Sequence, residues 1–192
     1  LNNNFKEKII VGLVGAIGYA NDPFVILDCA EILLKMNNKT IQFVFFGEGS
    51  AKKEVVRKIK ERSIKNVSVF ESVTKSEALS LTKSLDCGLI LHGKKPTYRY
   101  TASPNKFFDY LYFGTHIIYN FNGPLKNLLD EKNIGFYFNP NDPRKLAIYL
   151  NQLNIKSLEK QKTKSRDLAE NNFNMDRILN EMYLEIKKFE AL

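Results

Sequence analysis

The sequence has few of the features that mark several protein classes. No apolar run approaches the roughly 18 residues that a membrane-spanning helix needs. The opening stretch, LNNNFKEKII, shows no signal-peptide pattern and no initiator methionine, so we expect a fragment or a processed chain. The two cysteines, Cys29 and Cys87, match no metal-ligand spacing and are expected to be buried, reduced thiols. These absences favour a cytoplasmic protein without a bound metal.

Complete phosphate-binding fingerprints are also missing. The GAIG at residues 15–18 is not G-x-G-x-x-G, and Gly47-x-Gly49 lacks the third glycine. No Gly-Lys-Ser/Thr closes a Walker pattern, and no acidic residue stands where a dinucleotide ribose would need one. These absences argue against a dinucleotide-dependent oxidoreductase.

What the sequence does contain is a globular composition with an excess of positive charge. Of its 192 residues, 44% are hydrophobic and 26% charged, which indicates a folded domain. The net charge of +8 would attract an anionic lipid, a nucleic acid or a phosphorylated substrate. The most basic stretches, 52–65 and 156–166, are typical of amphipathic helices with solvated outer faces, and no nucleic-acid motif accompanies them. We expect no nucleic-acid partner, and a peripheral membrane contact is left open.

Short apolar runs alternate with helical patterns along the chain. Their nearly continuous apolar character favours strands that are buried on both faces of a parallel sheet. The predicted strands are 8–15, 40–47, 66–72, 86–93, 115–121 and 135–138. With right-handed crossovers they predict an α/β fold: a Rossmann-like, doubly wound parallel sheet of about six strands with helices on both faces. The helical region 155–192 is expected to form a C-terminal arm.

Several helix starts can be recognised from their capping residues. Asp-Pro pairs at 22–23 and 142–143 predict N-caps followed by proline at the first helical position. Ser50 is expected to cap the second helix, and Thr74 with Glu77 has the spacing of a capping box. The last helix is expected from about Asn174, with its apolar side chains on one stripe.

In a sheet of strand order 3-2-1-4-5-6, ligands bind at the carboxyl ends of the strands, where the order reverses. The loop at 15–22, with Gly15 and Gly18, and the loop at 47–50, with Gly47 and Gly49, would lie there. So would the long segment 92–103 after the fourth strand. These glycines are predicted to approach a ligand closely, or else to form ordinary βα turns.

The helix that follows this segment carries the strongest signal. Ser103 fits its N-cap and Pro104 its first position, so the amides of Asn105 and Lys106 would be free for a phosphate. The Lys106 ammonium would add charge to that site, and Asp109, one turn on, would accept hydrogen bonds from hydroxyl groups.

The alternative for this segment is a plain capped helix with a solvated Asp109. In either case Phe108, Leu111 and Tyr112 share one face of the helix and are expected to dock it on the sheet.

The residues SPNKFFDYLYFG, followed by THIIYNFNGPLKNLLDEKNIGFYFNPND, resemble the donor-binding domain of family 4 retaining glycosyltransferases of the GT-B fold. Gly135, Pro140 and Asp142 match the tail of that pattern, and the resemblance extends over residues 8–190. It is closest to a subgroup with a Ser-Pro-x-Lys loop, which includes enzymes of surface-polysaccharide and O-antigen assembly.

The resemblance also implies site residues. The two glutamates of the family's Glu-x7-Glu motif correspond to Thr101 and Asp109, which with Lys106 are the implied catalytic residues. The family's usual cations on the first loop are absent here. Lys106 would have to compensate, together with Lys94, Lys95 or Arg99. Of the histidines, residue 116 is expected to be structural, and residue 92 lies nearer the crevice.

The resemblance implies a nucleotide diphosphate sugar as substrate, a UDP-sugar rather than a GDP-sugar, with no metal cofactor. Its base and ribose would contact residues 47–50 and the loop from Glu71 to Val73. Its diphosphate would rest on the amides of Asn105 and Lys106, on Ser103-Pro104, and on the first glycine loop.

It further implies one donor-binding domain over residues 1–192, with a linker-like segment at 1–7 and C-terminal helices at 155–192. A missing N-terminal domain would bind the glycan or lipid-linked acceptor, so this chain alone would barely transfer sugar. The setting would be cytoplasmic, at the closest the inner face of the cell membrane. The alternative is a non-catalytic nucleotide-sugar-binding subunit, which Thr101 and the cation-poor first loop favour.

Overall fold

The computed structural model describes residues 5, 7–93 and 105–190. In these residues six parallel strands form one sheet of order β3-β2-β1-β4-β5-β6. The strands are β1 (Ile9–Val14), β2 (Ile41–Phe46), β3 (Val67–Phe70), β4 (Cys87–Ile90), β5 (His116–Tyr119) and β6 (Phe136–Tyr137). The predicted fold class is therefore confirmed, and the strand order is the one for which the ligand crevice was predicted.

Helices cover both faces of this sheet. They are α1 (Phe24–Lys35), α2 (Lys52–Glu61), α3 (Lys75–Lys83), α4 (Asn105–Phe113), α5 (Pro124–Glu131), α6 (Pro143–Gln152), α7 (Ile155–Phe173) and α8 (Met175–Glu190). Val11 and Leu13 of β1 pack in the core under α1, α2 and α6, whereas Ile10 packs in the second core, under α3, α4 and α5. Because alternate side chains enter two cores, the strands read as nearly continuous apolar runs.

Two of the predicted caps, at Thr74 and Asp142, are present, and Asn174 adds a cap that was not predicted. The Thr74 hydroxyl accepts the Glu77 amide and the Glu77 carboxylate accepts the Thr74 amide, which completes the capping box at α3. The Asp142 carboxylate accepts the Lys145 amide at 3.0 Å at the start of α6, and the Asn174 side chain caps α8. These local signals operate within one turn, which is why the sequence reveals them.

Two other predicted caps, at Ser50 and Asp22, are wrong, and the predicted cap at Ser103 lies outside the described residues. Ala51, without a side-chain cap, precedes α2, and the Ser50 hydroxyl accepts the Tyr19 amide at 3.5 Å instead. Asp22 has a left-handed backbone conformation, with φ of 41°, because its amide closes the short 3₁₀ turn at Tyr19–Asn21. Helix α1 therefore begins at Phe24, one residue after the predicted first position.

The buried face of α4 also differs from the expected one. Of the three predicted docking residues only Leu111 is buried, whereas Phe108 is 39% and Tyr112 71% exposed. The side chains that enter the core are Phe107, Tyr110 and Leu111. The Tyr110 ring lies directly over Gly88, where a Cβ would come within 2.5 Å of it. A glycine in the neighbouring strand thus sets the rotation of the helix.

Both cysteines are fully buried, as expected, and burial raises the pKa of each thiol. The apolar stripe of α8 lies largely at the surface. Its exposed members are Met175, Leu179, Met182, Tyr183, Leu184 and Ile186. In the described part of the chain, no helix has both the length and the apolar character needed to cross a bilayer.

Candidate functional site

The loops after β1 and β2 are joined by backbone hydrogen bonds at the carboxyl edge of the sheet. The Gly15 amide donates to the Phe46 carbonyl at 2.9 Å, and the Ile17 amide to the Glu48 carbonyl at 2.8 Å. The Ala51 amide returns a bond of 3.0 Å to the Ile17 carbonyl. The two loops therefore form one braced ledge whose shape does not depend on a ligand.

The glycines of the second loop make this close approach possible. Gly47 has φ of +148°, and a Cβ there would lie 1.9 Å from the Gly15 carbonyl oxygen. Gly49, with φ of +154°, would bring a Cβ within 2.5 Å of the Ile17 carbonyl oxygen. A Cβ on Gly18 would meet only the Ser50 hydroxyl, at 3.6 Å. Gly47 and Gly49 are therefore needed for the close contact between the two loops. Gly18 is not, because a side chain would fit there.

A cavity of about 420 Å³ lies between this ledge and the helices α3 and α4. Its walls come from the ends of β1 and β2, the loop after β3, one face of α3 and the first two turns of α4. The lining includes five residues that the sequence singled out: Gly15, Gly47, Val73, Lys106 and Asp109. The crevice predicted by the switch-point rule is therefore a real feature of the fold.

Three other predicted residues, Gly18, Gly49 and Glu71, are not in the wall of this cavity. The Glu71 carboxylate accepts a bond of 2.8 Å from the Lys52 ammonium, which lowers the pKa of Glu71. Thr101, Ser103 and Pro104 lie outside the described residues, as do Lys94, Lys95 and Arg99. Asn105 begins the described part of α4 and is exposed.

Lys106 is the half-buried cation of the cavity. Its ammonium lies 3.8 Å from the point that a Cβ of Gly15 would occupy, so it reaches the first loop from α4. Among the described residues it has no ion pair and no hydrogen bond. Burial lowers its pKa to about 8, since a desolvated ammonium favours the neutral form. An anion in the cavity would supply the missing partner.

Asp109 is the half-buried anion on the same helix, three residues after Lys106. No described residue gives its carboxylate a hydrogen bond or an ion pair, Lys106 included. Burial raises the pKa of Asp109, and the positive charge of Lys75 opposes that shift. Two opposite charges therefore stand side by side without neutralising each other, and both remain available to a ligand.

Helix α3 contributes residues that the sequence analysis missed. Lys75, Ala78, Leu79 and Thr82 line the cavity opposite α4. The first turn of α3 follows the loop after β3, so the switch-point rule could have placed Lys75 there. The rest of this wall depends on how α3 packs against α4. The sequence of α3 contains no local signal for that packing.

The two histidines have different surroundings. His116 is buried, its Nε2 lies 2.7 Å from the Tyr149 hydroxyl, and burial lowers its pKa to about 4. The backbone of His92 exchanges two hydrogen bonds with the Asn120 side chain, and its ring packs edge-on against Phe121. Burial, aided by the charge of Lys106, lowers the pKa of His92. His92 is therefore not in the wall of the cavity, although the charge of Lys106 acts on it, whereas the other histidine belongs to the core.

The cavity thus combines an unpaired ammonium, an unpaired carboxylate and a rigid glycine ledge. No group of three or more His, Cys, Asp or Glu side chains that could hold a metal occurs among the described residues. The arrangement suits a ligand with an anionic end for Lys106 and hydroxyl groups for Asp109.

Comparison with known families places the chain in a class. The model of the glycosyl transferases group 1 family matches residues 2–175, and the chain belongs to this family. A search of the curated proteins found no match.

Solved structures show the same fold. The Anabaena protein Alr3699/HepE, crystallised with UDP-glucose, is 12% identical with a TM-score of 0.75, over 96% of this chain and 50% of that one. The C-terminal domain of a group 1 glycosyl transferase, LpcC from Francisella tularensis, is 16% identical with a TM-score of 0.73, over 91% and 95%. Staphylococcus aureus TarM, crystallised with UDP among its ligands, is 17% identical with a TM-score of 0.70, over 95% and 36%.

The chain therefore has the fold of a GT-B glycosyltransferase domain. It spans half the length of the Anabaena protein and about a third of TarM, but nearly all of the LpcC domain.

Proposed function

We propose that this chain is the donor-binding half of a family 4 retaining glycosyltransferase and that its cavity binds a nucleotide diphosphate sugar. The observation that carries the proposal is the pair of unpartnered side chains, Lys106 and Asp109, in the wall of the switch-point cavity. Family membership and UDP-glucose in the Anabaena neighbour support it. A UDP-sugar is proposed ahead of a GDP-sugar.

In this proposal the diphosphate lies against Lys106 and the first turn of α4, next to Gly15. The ribose hydroxyls donate to Asp109, and the base lies by Val73 and the ledge at Gly47. Each contact uses a group that is unpaired or a wall already present in the protein. The binding site is therefore preorganised, which limits the entropy lost when the ligand binds.

The chemistry follows from where charge develops. As the glycosidic bond breaks, negative charge grows on the leaving diphosphate, and Lys106 stabilises it more in the transition state than in the ground state. The amides of Asn105 and Lys106 would assist. Thr101 is proposed to lie beside the donor sugar. No metal is required in this scheme, because protein donors neutralise the diphosphate.

The acceptor, a glycan or a lipid-linked glycan, is proposed to bind a second domain. That proposal draws on the share of the relatives that this chain spans, which is 50% for the Anabaena protein. Without that domain the chain should bind nucleotide but barely transfer sugar. Assembly of a surface polysaccharide or O-antigen, in the cytoplasm or at the inner face of the membrane, is the proposed setting.

Titration calorimetry with UDP, UDP-glucose, GDP and NAD tests the proposal. We expect UDP and UDP-glucose to bind, GDP to bind more weakly and NAD to give no heat of binding. Failure of every nucleoside diphosphate to bind at millimolar concentration would contradict the transferase assignment. Binding of NAD without UDP would support an oxidoreductase domain instead.

A non-catalytic nucleotide-sugar-binding subunit is the second candidate. The observation that favours it is the first loop, whose described residues 15–22 contain no cation. Joining the chain to an acceptor domain and assaying sugar transfer separates the two, because only a catalytic half would restore turnover.

A further inference from the structure

Lys75 is a cation of the cavity wall that no described residue neutralises. It is the first residue of α3, it is exposed, and it forms neither an ion pair nor a hydrogen bond within the described ranges. Its nearest acid along the helix, Glu77, is already bound to Thr74 in the capping box. One turn on, at the usual position of an ion-pair partner, stands the apolar Leu79. The local structure of α3 therefore leaves the Lys75 charge free.

Asp109 has both positively and negatively charged side chains around it. On its own helix it has Lys106, three residues earlier, and α3 presents Lys75 across the cavity. On its other side Asp109 also lines a second cavity, of about 390 Å³, together with acidic side chains of α7 and α8. The acidic residues in these two cavity walls, besides Asp109, are Glu48, Glu170 and Asp176. Glu48 is bound to Lys52, so the free acids are those of α7 and α8.

This environment bears on the protonation of Asp109. Burial favours the neutral carboxyl, while the charge of Lys75 favours the carboxylate and keeps the pKa of Asp109 from rising further. Only the carboxylate accepts hydrogen bonds through both oxygens, whereas a neutral carboxyl must donate through one of them. A ribose with two adjacent hydroxyl donors therefore needs the ionised form.

We propose that Lys75 is a positioning residue of the nucleotide site, whose ammonium faces Asp109 across the cavity and holds it as the carboxylate that receives the ribose hydroxyls. The inference rests on the proposed function and assigns to Lys75 an electrostatic role with no contact to the ligand. Lys106 holds the phosphates, and Lys75 acts only through Asp109.

The test is the affinity for UDP-glucose, measured by calorimetry between about pH 4.5 and pH 8, a range that begins above the ordinary pKa of an aspartate, in the direction to which burial moves the pKa of Asp109. UDP-glucose is the probe because its two phosphates carry no proton that titrates in this range. We expect the affinity of the wild-type chain to fall in acid as Asp109 is protonated. In Lys75→Gln the fall should begin at higher pH, with about a threefold loss of affinity in the acid range, the strength of a partly exposed charge pair.

Three variants make the assignment specific. Lys75→Arg keeps the charge and should retain the wild-type pH profile. Lys53→Gln removes an exposed charge of α2 that is not in the cavity wall and controls for net charge. Asp109→Asn should bind weakly with a flat profile, and Lys75→Gln should have no further effect in that background.

The outcomes separate the two proposals. If the wild-type chain does not bind UDP-glucose or UDP at any pH, the proposed function is wrong. If it binds, and Lys75→Gln lowers the affinity equally at every pH, Lys75 contacts the ligand directly and the positioning role is wrong. A profile in Lys75→Gln identical to that of the wild type would also overturn the inference, while the nucleotide site would stand.

Discussion

The two sides of the cavity differ in how their charges are satisfied. On the ledge side, the Lys52 ammonium is bound to Glu48 and Glu71, and these bonds raise its pKa. On the helix side, Lys106 has no partner among the described residues, and burial lowers its pKa to about 8. Both lysines lie at the same edge of the sheet. The ledge side therefore uses its charges to stabilise the loops, whereas the helix side leaves its charges available to a ligand.

The largest expected effect comes from breaking the ledge. Gly47→Ala would place a Cβ 1.9 Å from the Gly15 carbonyl oxygen, at a φ of +148°. We expect the free energy of unfolding to fall by about 3 kcal/mol or more, from backbone strain and the forced separation of the loops. Gly18→Ala is the matched control and should change it little, because a Cβ there has room. Equal stabilities of the two variants in urea unfolding would mean that the ledge is not rigid.

The next largest effect is expected on UDP affinity, when Lys106 and Lys52 are replaced in turn. Lys106→Ala should weaken UDP binding by about 1.5–3 kcal/mol, or roughly ten- to a hundredfold, through loss of a charge-assisted contact. Uridine binding should change little, since uridine has no phosphate. Lys52→Ala should leave the UDP affinity close to that of the wild type.

The lowered pKa of Lys106 means that its charge disfavours the folded state at neutral pH, so its removal should not lower the melting temperature. Calorimetry and thermal unfolding check both statements. A similar loss of UDP and uridine affinity in Lys106→Ala would indicate a folding role instead.

The effect of the Asp109 carboxylate is expected to be smaller. Asp109→Asn should reduce the affinity for UDP by about tenfold, the value of a hydrogen bond to a charged acceptor, with little change in melting temperature. The same substitution should not affect binding of 2′,3′-dideoxy-UDP, which lacks the hydroxyl donors. A large drop in thermal stability would show that Asp109 supports the fold.

The smallest expected effect is the uptake of a proton when UDP-glucose binds. Because the pKa of Lys106 is about 8 in the free chain and an anion raises it, UDP-glucose binding at pH 8 should take up about half a proton. Calorimetry in two buffers of different ionisation enthalpy measures this uptake. Lys106→Met should abolish it, whereas Lys52→Met should retain it. Equal uptake in both variants would assign the proton to another group.

Much of the fold could be predicted from the sequence because its signals are local. Strand runs, the capping box at Thr74 and the cap at Asp142 depend on residues within a turn or two of one another. The wrong predictions concern side chains whose positions are set by contacts between distant parts of the chain. Tyr110 turns toward the sheet because Gly88 makes room for its ring, and Ser50 accepts the amide of Tyr19.

The candidate site divides in the same way. Lys106 and Asp109 were predicted because a helix start after the fourth strand points to the ligand crevice in any sheet of this order. Lys75 was missed although it follows the loop after β3, whereas Ala78, Leu79 and Thr82 line the cavity through helix packing that the sequence does not show. The roles of Thr101, Ser103 and Pro104 stay predictions, because these residues lie outside the described ranges.

The sequence by itself determined the strands of the sheet and the helix that carries the two charged residues, because apolar patterning and capping operate over short distances. Only the tertiary structure decided which charges are neutralised. Lys52 meets Glu48 and Glu71, whereas Lys106 meets no counter-charge within the described residues. Whether an ion pair forms depends on distances across the fold, and a list of residues does not contain those distances.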